Sequence, residues 1–95
     1  MRPSVSKLVD AIRQDLRLYA VELPDDGDGG AVIEGALKYH TPSTGISIYE
    51  RKFEIFYEGG EYLVLLPLGQ MFLEKRGASQ NDVLQILREH FESTS

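Results

Sequence analysis

Two histidines, His40 and His90, aspartates at 25, 26 and 28, and tyrosines at 39, 49, 57 and 62 are the residues here that could do chemistry. The chain has no cysteine, so a thiol nucleophile and a thiolate zinc site are both excluded. Ser43, Ser47 and Ser79 sit in no G-x-S-x-G elbow, and no glycine-rich loop follows a strand and opens a helix, as a phosphate cradle requires. His40 could act as a general base only if a carboxylate such as Glu34 or Glu50 stood beside it to orient the ring. A surface place beside a turn is its plainer expectation. The aspartates between Pro24 and Gly30 could gather around calcium, which takes several oxygen ligands. However, the twelfth position counted from Asp25 or Asp26 is Ala36 or Leu37, where an EF-hand needs an acid. The segment is therefore expected as a mobile acidic loop, with no metal and no cofactor.

These residues belong to a chain of 95, with 42% hydrophobic and 26% charged residues, an ordinary composition for one domain. So short a chain buries a limited core, and oligomerisation is a common remedy. A formal net charge of −5 repels phosphate backbones, so no nucleic-acid partner is expected. The same acidity suits solubility, a basic partner, or mimicry of a polyanion. Lys7, Asp10, Arg13, Asp15 and Arg17 interrupt the N-terminal apolar residues at helical spacing, which speaks against a signal peptide or a membrane span. With no disulfide framework available, a cytoplasmic location is expected.

The elements follow from periodicity. Val5, Leu8, Val9, Ile12, Leu16 and Tyr19 recur at three- and four-residue steps behind Ser4, predicting an amphipathic helix from about Val5 to Tyr19 with Ser4 as its N-cap. Ala31 to His40 alternates as a strand, and the turn residues Thr41 to Gly45 lead into a second strand. Pairing His40 with Ile46 sets Leu37 opposite Tyr49, Glu34 opposite Lys52 and Ile33 opposite Phe53, but it aims Arg51 at the core. A bulge is therefore expected near Glu50 and Arg51. Gly59-Gly60 supplies the two positive-φ positions of a type I′ turn, which pairs Tyr57 with Tyr62, Ile55 with Val64 and Glu54 with Leu65. After Gly69-Gln70, Met71 to Lys75 forms a fourth strand with Leu73 opposite Leu66, or else Met71 to Arg76 is one helical turn. Ser79 with Asp82 makes an acidic capping box for a last helix to about Phe91, and Glu92 to Ser95 is a short polar tail. The predicted fold is a single α+β domain, a two-layer sandwich of helix, three- or four-stranded antiparallel meander, and helix, with both helices on one face.

In this register Tyr39, Tyr49, Tyr57 and Tyr62 project with Phe53. They either frame the core or, together with His40, line a pocket between sheet and helices for a small aromatic or apolar ligand. The other face carries Ile46, Ile48, Phe56, Leu63, Leu65 and Phe72, with Glu34, Lys38, Lys52, Glu54 and Glu58 around the margin. An apolar centre inside a charged rim has the composition of an interface, unless a helix crosses to cover it.

Double-stranded RNA-binding domains share the helix, sheet, helix order, but this chain is acidic and no lysine cluster opens its last helix. Small acidic dimeric secretion chaperones are similar in charge, size and mixed α/β content; both resemblances are of topology and composition, and no motif aligns. The leading expectation is a non-catalytic interaction module of adaptor, inhibitor, immunity or chaperone type, acting as a homodimer or on a protein partner. A small-molecule binding protein or small enzyme is the alternative.

Overall fold

The computed structural model describes residues 3–24 and 30–92. Helix α1 (Ser6–Asp15) leads into strands β1 (Tyr19–Glu22), β2 (Ile33–His40), β3 (Ser47–Glu58), β4 (Glu61–Leu68) and β5 (Met71–Gly77), and helix α2 (Gln80–Glu92) closes the order. The strands form one antiparallel sheet in sequential order. Leu8 and Ile12 from α1, Val5 just before it, and Val83 and Leu87 from α2 share a single core with Ile33, Phe53, Ile55, Val64 and Leu66 of the sheet. Both helices therefore lie on the same face, giving the two-layer α+β sandwich. The acidic loop and its aspartates at 25, 26 and 28, and the tail beyond Glu92, fall outside the described residues.

The first helix is shorter than its apolar spacing predicts. Arg17, with φ of 56°, turns the chain out of the helix, and Leu18 and Ala20 are then buried in alternation with the more exposed Tyr19 and Val21. So short an apolar run does not by periodicity alone tell a helix end from a strand, and pairing of Tyr19 to Glu22 with β2 decides for the strand. The sheet thus has five strands. Ser4 is not the cap of α1: the N-cap is Val5, with no side-chain bond, and the Ser4 carbonyl accepts from Gln80 Nε2 at 2.9 Å.

The expected turns at Gly59-Gly60 and Gly69 are present. Both Gly59 and Gly60 have positive φ, as a type I′ turn requires, and β3 pairs with β4 in the predicted register. Met71 to Gly77 is a strand rather than a helical turn, with Leu73 opposite Leu66. Ser79 and Asp82 form the predicted reciprocal cap, Asp82 N donating to Ser79 Oγ at 3.2 Å and Asp82 Oδ2 accepting from the Ser79 and Ala78 amides.

The β2–β3 register differs from the prediction. His40 faces Ser47, Tyr39 faces Ile48, Lys38 faces Tyr49 and Leu37 faces Glu50, one residue away from the expected pairs. Beyond Leu37 the register shifts again, so that Gly35 faces Phe53 and Ile33 faces Ile55. Between these stretches β2 contributes Ala36 alone and β3 contributes Arg51 and Lys52, which is a bulge at the predicted place. Arg51 occupies the left-handed region, φ 55°, and its guanidinium lies 4.9 Å from the centre of the Phe91 ring. The arginine that a regular strand would have driven into the core instead stacks on an aromatic at its margin.

Candidate functional site

An extra residue in a strand exchanges the faces of everything on one side of it. The bulge therefore redistributes the residues expected on each face. Tyr49 pairs with Lys38 and stands on the outer face, away from the helices. Ile48 pairs with Tyr39 on the helix side, beyond the reach of the core, where both are exposed. Ile46 lies in the turn before β3, also exposed. Hence Tyr39, Tyr49, Tyr57 and Tyr62 do not share one face as expected. Tyr57 and Tyr62 meet on the core side with tilted rings, centres 5.0 Å apart, and the hydroxyl of the buried Tyr62 accepts from Gln80 Nε2 at 3.0 Å. His40 is exposed at a strand end. Glu34 lies on its face but six residues along the strand, roughly 20 Å away, and Glu50 points to the opposite face. Neither carboxylate orients the imidazole.

On the outer face the register sets residues in rows across the strands. Phe56, Leu63 and Arg76 form one row. The next, towards the β4–β5 turn, runs Glu34, Glu54, Leu65, Glu74, and Pro67 faces Phe72 in the row after. Phe56, Leu63 and Leu65 are half-buried by their neighbours, whereas Phe72 is 65% exposed. No described helix lies over them. Glu34 and Glu54 stand directly opposite each other, which is unfavourable for like charges. Arg76 lies 3.8 Å from Glu61, and no ion pair joins Glu34, Glu54 or Glu74 to a cation among the described residues.

The β3–β4 ladder ends at Glu54 and Leu65, while β3 continues beside β2 to Ser47 and β4 continues beside β5 to Leu68. Two hairpin arms diverge here. A groove of about 730 Å3 opens between them, lined by Tyr49, Lys52 and Glu54 on one side and Pro67, Leu68 and Phe72 on the other, with His90 beside it. His90 is held there by Pro67, whose carbonyl oxygen is 2.8 Å from His90 Nε2. Every large hydrophobic residue that is strongly exposed among the described residues belongs to these arms: Tyr39, Ile46, Ile48 and Tyr49 on the first, Leu68, Met71 and Phe72 on the second. Leu68 and Met71 escape sequence reasoning because nothing in a hairpin's alternation tells how far the helices extend over it. A smaller hollow of about 250 Å3 lies over Ala36, walled by Tyr19 and Tyr49 with ring centres 4.8 Å apart and flanked by Glu34 and Lys52.

The backbone edges are less available than this face. Arg13 Nε donates to Ala20 O at 2.8 Å along β1, β5 carries Glu74, Lys75 and Arg76, and the stretch of β3 beyond β4 holds the bulge together with Glu50, Arg51 and Lys52. Bulges and edge charges are the usual devices against strand addition. Among the described residues no group of three His, Asp or Glu side chains could hold a metal ion, and no helix is long and apolar enough to cross a membrane. Comparison of the chain with protein-family models, characterised proteins and solved structures gives no match.

Proposed function

We propose that this chain is a non-catalytic protein-interaction module, of adaptor, inhibitor, immunity or chaperone type, working in a reducing compartment. It docks a protein on the outer sheet face, from Phe56 and Leu63 through Leu65 to Phe72 and the groove between the arms. One observation carries the reading: both helices pack on a single face, so the apolar residues of the other have no cover among the described residues. Monomers rarely leave a contiguous apolar patch bare, and patches rimmed by polar residues mark interaction sites. The blunted edges favour docking on the face over addition of a strand. Ile46 and Ile48, first expected within this patch, belong instead to the tip of the first arm.

The test is a double variant, Leu63→Glu with Leu65→Lys, which sets each new charge opposite Arg76 or between Glu54 and Glu74 rather than against its like, compared with wild type by light scattering and urea unfolding. The expected result is an unfolding midpoint close to wild type. A wild-type dimer that the substitutions dissociate would identify the partner as a second copy, and a wild-type monomer would leave the face to another protein. A collapse of the fold like that from a core substitution would overturn the reading, because it would make this face internal.

A further inference from the structure

Resting on that reading, we infer that the outer face receives a cationic amphipathic segment of another protein, one whose apolar side chains are flanked by lysine or arginine. The apolar band from the Phe56–Leu63 row to the Pro67–Phe72 row spans roughly 13 Å at the rise of a strand, the length of two to three helical turns. Leu65 lies between Glu54 and Glu74, with Glu34 next in the row. These carboxylates have no contact ion pair among the described residues, so their oxygens are open to a docking cation although Lys52 and Arg76 stand nearby. Opposite charge at such a rim selects the partner and speeds its encounter. A second copy is disfavoured by the same row, since an isologous contact would bring glutamates against glutamates across the two-fold axis. The face already attracts a cation of its own, as Lys38 Nζ lies 5.8 Å from the centre of the Tyr49 ring.

The probes are two synthetic amphipathic helical peptides of equal length, one of leucine and lysine and one of leucine and glutamate. They are titrated into the whole chain by NMR and fluorescence anisotropy. The leucine–lysine peptide is expected to shift the amides of Phe56, Leu63 and Leu65. The triple variant Glu34→Gln, Glu54→Gln, Glu74→Gln should weaken it about tenfold. Asp10→Asn, Asp15→Asn, Glu89→Gln changes net charge equally on the helices and should change affinity less than about twofold. Equal losses in both triple variants would mean attraction to net charge alone and would overturn the inference. Equal binding of the leucine–glutamate peptide at Leu63 and Leu65 would also overturn it while leaving the docking reading intact. Shifts confined to other surfaces with both peptides would remove the docking reading itself.

Discussion

Both faces of the sheet carry large apolar side chains near the β3–β4 hairpin, and these have opposite fates. On the helix side Phe53, Ile55, Val64 and Leu66 are fully buried. On the outer side Phe56, Leu63 and Leu65, their immediate neighbours in sequence, are only half-buried, with glutamates on both sides of Leu65. Composition does not distinguish the two sets. What separates them is whether a helix arrives.

The comparison breaks most sharply under truncation. Phe53→Ala removes a ring packed at 5.5 Å against Phe91 and should cost about 3–5 kcal/mol, enough to leave much of so small a domain unfolded in urea titrations. Leu65→Ala should cost under about 1 kcal/mol; similar losses from both would erase the distinction between the faces. Gly35→Ala probes the covered face from the other direction. A β-carbon there would enter the Phe53 ring and come within 2.5 Å of Tyr19 O, so a loss of about 1–3 kcal/mol or more is expected. A wild-type midpoint would show that Phe53 has room to move.

Ser79→Ala removes the cap of α2, the helix that brings Val83 and Leu87 to the core, and should lower stability by about 1 kcal/mol. The smallest effect sharpens the boundary where the faces exchange. Arg51→Gly relieves a left-handed residue and loses the Phe91 contact, leaving a net change within about 1 kcal/mol. Arg51→Val keeps the strain without the stacking and should be the less stable of the two, which thermal unfolding of the pair resolves.

Legibility in the sequence followed the range of the interactions. The β3–β4 hairpin was readable because two adjacent glycines set its turn and alternation set its pleat. The cap of α2 was readable because Ser79 and Asp82 satisfy backbone groups within four residues of themselves. The bulge was readable only as a conflict, an arginine aimed at a core. Its registers on either side were not, since one extra residue shifts the pairing and its position depends on how Ala36 and Gly35 meet β3. The expected tyrosine face failed for that reason: Tyr49 lies on the far side of the bulge from Tyr57, where alternation counted from the Gly59-Gly60 turn no longer holds, whereas Tyr39, on the unbulged β2, keeps the helix side.

By itself, then, the sequence determined the class of fold, the order of its main elements, the hairpin around Gly59-Gly60 and the outer placement of Phe56, Leu63 and Leu65. These depend on local backbone preference and on period-two alternation within one hairpin. Tertiary structure decided that Tyr19 to Glu22 joins the sheet, that the bulge puts Tyr49 on the outer face and Ile48 on the helix side, and that neither described helix crosses to the outer face. Each of these is a choice between arrangements that local energies leave nearly equal, settled by contacts between segments far apart along the chain.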